Sequence, residues 1–201
     1  MKPPIFLLFA FALGGWGQLA HPQLGLMLDA DGAVRPVYGA AASATLDDPV
    51  LDGVLSFGCS SQICLFKSAA AIIASDGTSA TAPGGTAVFT MQGDAAYIYF
   101  PDSQQWARWR DGQLEWIDFA PDEAVPTATV MGLSDGSIVA AADHIALVRR
   151  DGSELHFAVA GVQRFFAMGK GYVQAVTDRG MWILRVEPGR EQIFLLPGTP
   201  E

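Results

Sequence analysis

Short apolar runs separated by turn residues set the pattern of this chain. Residues 97–100 read Tyr-Ile-Tyr-Phe, 145–148 read Ile-Ala-Leu-Val, and 155–159 read Leu-His-Phe-Ala-Val. Near the C-terminus, 181–184 read Met-Trp-Ile-Leu and 193–196 read Ile-Phe-Leu-Leu. Runs this short, rich in β-branched and aromatic residues and bounded by Gly, Pro and Asp, predict strands. No window carries an apolar stripe at helical spacing with caps at its ends.

The punctuation between the runs is periodic. Turns fall at Asp31-Gly32, Asp76-Gly77, Asp111-Gly112, Asp151-Gly152 and Pro188-Gly189, at intervals of 45, 35, 40 and 37 residues. Asp-Gly between alternating runs signals a two-residue hairpin, because a type I′ turn needs positive φ at both central positions. A second series, Ser61-Gln62, Gly93-Asp94, Asp135-Gly136 and Gly169-Lys170-Gly171, precedes the last four of these by 15, 18, 16 and 18 residues. Two interleaved series mean two hairpins, and hence four strands, per unit. A period of about 40 residues with four strands is the pattern of a propeller blade.

Residues 54–83, 87–119, 127–160 and 163–196 supply four complete units, while 24–39 supply an outer hairpin alone. The expectation is an all-β, propeller-like array of about five units: four complete four-stranded blades and an N-terminal half-blade. Three arrangements stay open. The array closes as a ring with one thin blade, forms an open arc whose edges favour self-pairing, or is a truncated piece of a larger propeller. The small residues of 69–71 and 140–142 would suit a crowded position near a propeller axis, with composition bias as the blander cause.

This layout, opened by the hairpin from Leu28 to Gly39 around Asp31-Gly32, resembles the secreted bacterial β-propeller repeat proteins, broadly the YVTN, NHL and WD-repeat-like group. The resemblance covers nearly all of the chain beyond residue 20. It implies a scaffold and no particular reaction. The Gly-His and Trp-Asp signatures of WD repeats are absent.

The first residues depart from the repeat. Lys2 precedes an unbroken apolar run from Ile5 to Leu13, and Gly15 and Gly17 place small residues before a cut. Residues 1–17 therefore read as a signal peptide, with cleavage after Gly17 or Ala20, and 21–201 as a single domain in the secreted or periplasmic space. Cys59 and Cys64 would face each other across a hairpin if Ser61-Gln62 turns tightly, and an oxidising compartment predicts a disulfide between them.

Half of the chain is hydrophobic and 16% is charged, enough apolar residues for a core. The net charge of −9 repels phosphate backbones and anionic headgroups, so neither nucleic acid nor, after leader cleavage, membrane is an expected partner. The absence of Asn removes N-glycosylation.

Candidate chemistry is sparse. Trp106, Arg108 and Arg110 share one strand face and could bind a sugar ring or an aromatic or anionic ligand; the favoured reading is that such rings pack between blades with Arg at their edges, since aromatic burial dominates sheet-on-sheet cores. Gly132-Leu133-Ser134-Asp135-Gly136 matches the spacing of a hydrolase nucleophile elbow, but strands flank it on both sides where the elbow needs a helix after it. Asp29-Ala30-Asp31-Gly32 lacks the later ligands of a calcium loop. Asp118, Asp122 and Glu123 form an acidic loop, and His144 and His156 alternate with apolar residues. No catalytic residue, metal site or cofactor is expected. The leading expectation is a non-catalytic binding module for a protein, glycan or small ligand; a carbohydrate-active hydrolase or lyase and a truncated fragment are the alternatives.

Overall fold

The computed structural model describes residues 22–40, 43–92, 95–118, 127 and 129–196. The leader at 1–17, the turn at Gly93-Asp94, and Asp122 and Glu123 lie outside the described residues. Every regular element among those described is a strand.

Four antiparallel meanders of four strands follow one another. They are β4 to β7 (Ser56–Cys59, Cys64–Lys67, Ala71–Ala74, Ser79–Thr81) and β8 to β11 (Val88–Gln92, Ala95–Phe100, Gln105–Arg110, Gln113–Ile117). Then come β12 to β15 (Val130–Leu133, Gly136–Ala140, Ile145–Arg149, Glu154–Phe157) and β16 to β19 (Val162–Gly169, Tyr172–Thr177, Gly180–Arg185, Gln192–Leu195). The turn spacing thus divides the chain where the structure does. A three-stranded sheet precedes them: β1 (Gln23–Leu28), β2 (Val34–Tyr38) and the two-residue β3 (Thr45–Leu46).

The first strands of the meanders lie together: β4 beside β8 and β16, and β8 beside β12. Met168 of β16 pairs with Cys59 of β4 in parallel, which joins the first and last meanders into one eight-stranded order. All four residues of β4 are buried, whereas β7, β11, β15 and β19 are largely exposed. Burial therefore falls from the first strand of a meander to its last.

Three apolar clusters fill the spaces between sheets. Ile98 and Phe100 of β9 meet Leu65 and Ile72 of the preceding meander. Ile138, Ile145 and Leu147 meet Val173 and Leu184 of the last meander. Met27, Val34 and Val37 of the first sheet meet Phe57 of β4 and Phe166 of β16. Strict alternation explains the assignment: along β9, Ala96, Ile98 and Phe100 are buried and the intervening Tyr97 and Tyr99 only half so.

Four expectations need correction. The N-terminal hairpin is no outer hairpin: β1 lies against β16, and a third strand extends it. Glycine allows this, since a Cβ at Gly25 would fall 2.4 Å from the Met168 carbonyl oxygen. The small residues Ala69, Ala70, Ala141 and Ala142 occupy connections between second and third strands, away from the crowded centre.

The turns also vary in length. Asp111-Gly112 and Lys170-Gly171 are two-residue turns with positive φ throughout (50° and 78°, 52° and 75°). Asp76-Gly77 and Asp151-Gly152 instead end three-residue loops, with Ala74 opposite Thr78 and Arg149 opposite Ser153. Their aspartates accept from the residue two positions on, Asp76 from the Thr78 N–H and hydroxyl and Asp151 from those of Ser153, which holds both carboxyls below the ordinary value. The loops at 29–33 and 186–191 are longer. At 133–136, Leu133 pairs with Gly136, so the turn is Ser134-Asp135, one residue earlier than the sequence suggests.

Candidate functional site

Because β4, β8, β12 and β16 are neighbours, the turns that leave β4, β12 and β16 open at one end, beside Met91 of β8. Ser60 and Ser61, Met91, Ser134 and Asp135, and Lys170, Gly171 and Tyr172 border a single cavity of about 590 Å³ there, with Glu187 and Pro188 on its rim. Four successive meanders contribute to it. The Cys59–Cys64 disulfide staples its β4 corner, with Cα atoms 4.0 Å apart, and the Ser60 N–H donates to the Ile63 carbonyl inside the turn.

Ion pairs fix the other walls. The mostly buried guanidinium of Arg149 donates to Asp135, to the Val186 carbonyl (2.6 Å) and to Glu191 (2.9 Å), tying the Ser134-Asp135 turn to the 186–191 loop. The Glu191 carboxyl lies below the ordinary value, held there by its own backbone N–H and by Arg149 against the opposing effect of burial. Arg185 donates to Glu187 and stands over the Tyr172 ring, 5.8 Å from its centre. Lys170 donates to the Gln23 carbonyl at 3.2 Å, bringing β1 to the same rim. The wall offers hydroxyls, backbone groups and one tyrosine ring among apolar side chains such as Met91, Leu133 and Val186. Its carboxylates Asp135 and Glu187 are occupied by arginines, which leaves neither set up as a general base.

Of the residues singled out from the sequence, Cys59 and Ser134 line this cavity, while Trp106, Arg108 and Arg110 lie elsewhere. Trp106 is 7% exposed, and its ring packs 4.9 Å from that of Tyr99. Arg108 stands over Tyr97 at 5.9 Å, and Arg110 pairs at the surface with Glu115. A stacking platform needs an open ring face, and Trp106 does not present one. Trp109, on the opposite face, is buried in the cluster shared with β4 to β7. Ser134 sits in a turn between two strands, with no helix after it.

The Asp29 carboxylate is engaged by the N–H groups of Asp31 and Ala33 and by Arg35. Burial raises its pKa, but these donors outweigh that and bring it below the ordinary value. His144 and His156 stack at 4.7 Å on the exposed side of β14 and β15, beside Asp143 and Glu154. Lys170, Tyr172 and Asp135 escaped the sequence reading, although the second turn series held the signal: turns in register along a repeat open on the same side.

No family model matches the chain, and no curated protein matches it. Among solved structures it is similar to PorZ, an essential bacterial surface component of the type-IX secretion system of Porphyromonas gingivalis. The identity is 12% and the TM-score 0.33, over 89% of this chain and 26% of that one. The chain thus spans about a quarter of the length of that protein. A likeness at this level carries neither fold nor function across.

Proposed function

We propose that the four meanders are blades of a small propeller-like module, that the chain is exported, and that it binds a ligand without catalysis at the cavity between the turns. The observation that supports this best is the contribution of four consecutive units to one cavity of mixed polar and apolar lining, whose carboxylates are already paired with arginines. A wall of hydroxyls, backbone groups and apolar side chains around an aromatic ring suits recognition of a glycan or a peptide through many weak contacts. The disulfide supports an oxidising compartment, and the apolar leader supports export.

The test uses the chain from residue 18 on glycan and peptide arrays. Tyr172→Ala and Lys170→Ala are expected to abolish signals that the unaltered protein gives. Blank arrays, or signals indifferent to both substitutions, would overturn the assignment of this cavity. Turnover of a bound glycan or peptide would overturn the non-catalytic part.

A further inference from the structure

A second cavity, of about 610 Å³, lies at the opposite end of β16, and β1 ends beside it. Leu28, Phe166, Val176 and Met181 supply its apolar wall, and Arg164 and Arg179 supply its charge. The two arginines reach the same end of one hairpin because Arg164, early in β16, pairs with Val176 of β17, three residues before Arg179 in the next turn.

Their state is unusual for so acidic a chain. With 21 carboxylates against 12 lysines and arginines, cations find partners readily. Arg35, Arg110, Arg149, Arg185 and Arg190 all form ion pairs, Lys67 and Lys170 donate to carbonyls, and Arg108 stands over a tyrosine. Among the described residues, the guanidinium groups of Arg164 and Arg179 have neither a hydrogen bond nor an ion pair, and both are exposed on this one cavity.

The nearby carboxylates do not neutralise them. Asp29 is taken by Arg35 and two backbone N–H groups, while Asp178 is turned onto Gly161, where a Cβ would lie 2.6 Å from its Oδ1. A further cavity of about 370 Å³ shares Arg164 and Phe166 with the first and adds Tyr99 and Phe165.

We infer that this end of the molecule is a binding site for a small apolar organic anion, whose acid group lies between Arg164 and Arg179 and whose hydrocarbon body rests on Leu28, Phe166 and Met181. Guanidinium forks match carboxylate, sulfonate and phosphate oxygens, and such charge-assisted contacts are roughly twice as strong as neutral ones. Volumes of this size are ordinary for small-molecule sites. The site is independent of the cavity between the turns, so either can fail alone.

The probe is 1-anilinonaphthalene-8-sulfonate, followed by its fluorescence, with neutral N-phenyl-1-naphthylamine as the uncharged counterpart. One saturable site per chain is expected, displaced by decanoate. Arg164→Gln and Arg179→Gln should each weaken it by about tenfold, the scale of one lost charged contact. Arg110→Gln, which removes the same charge elsewhere, should leave it unchanged. Neither arginine has a partner to lose, so both variants should melt like the unaltered protein. Unchanged affinity in the two variants, an equal loss in Arg110→Gln, equally tight binding of the neutral probe, or binding to phosphatidylglycerol vesicles but not to decanoate would each overturn the inference.

Discussion

The side-chain amide of Gln174 pairs with the backbone of Leu28 as a strand residue would: its Oε1 accepts the Leu28 N–H at 2.9 Å, and its Nε2 donates to the Leu28 carbonyl at 2.7 Å. Gln174 is fully buried on β17, and Leu28 ends β1. A single amide thus fastens the first sheet to the last meander, and a hydrocarbon side chain in its place would strand two buried backbone groups. Gln174→Leu should destabilise the fold by about 2–4 kcal/mol, the cost of leaving both unpaired. Urea denaturation measures this, and a loss below about 0.5 kcal/mol, the level of an ordinary surface change, would contradict the role.

The Cys59–Cys64 bond closes a short loop, with a sequence separation of five. Loop-closure entropy alone assigns it about 2 kcal/mol. Reduction should therefore lower the urea midpoint without changing the slope. Coincident curves with and without dithiothreitol would show that the bond adds nothing to a turn the backbone already holds.

Lys67 is fully buried, with its ammonium on the carbonyls of Ser68 (2.5 Å) and Ala69 (3.3 Å) and no carboxylate beside it. Desolvation lowers its pKa from the ordinary 10.5. Between that lowered value and 10.5 the unfolded chain holds a proton that the folded chain has released, so stability rises with pH across the window. The slope reaches at most about 1.4 kcal/mol per pH unit. Comparing unfolding free energies of the wild type and Lys67→Met from pH 7.5 to 10.5 isolates it: the wild type should gain on the variant as pH rises. Parallel profiles would count against the shift.

A Cβ at Gly58 of β4 would fall 2.6 Å from the Cβ of Phe89 of β8, whereas one at Gly84 meets nothing within 4 Å. Gly58→Ala should cost about 1–3 kcal/mol by overpacking. Gly84→Ala should stay within about 0.5 kcal/mol. Equal melting temperatures for the two variants would remove the claim that this contact is sterically limited.

The unit boundaries were legible because turn residues state local φ requirements, and Asp-Gly or Lys-Gly states them strongly. Loop length was not, since Asp76 and Asp151 cap three-residue loops with the same dipeptide that makes a two-residue turn at Asp111. The strand β3, an exposed Thr-Leu, leaves no periodic trace in the sequence. Alternation put Trp106 and Trp109 on opposite faces correctly, yet both are buried, because the sheet is covered on each side. What lies across the chain was invisible: no local rule shows that Arg164 and Arg179 lack partners, or that Lys170 reaches Gln23.

The parallel pairing of Met168 with Cys59 sets an order of events during synthesis. A ribosome adding about 5–20 residues per second needs about 5–20 s to pass from one partner to the other. Through that interval the edge of β4 has no mate, and a neighbouring nascent chain could take the place of β16. The hairpin that carries Cys59 can oxidise long before, since Cys64 emerges almost at once. Synthesis speed, more than final stability, would then decide how much of the protein ends correctly paired.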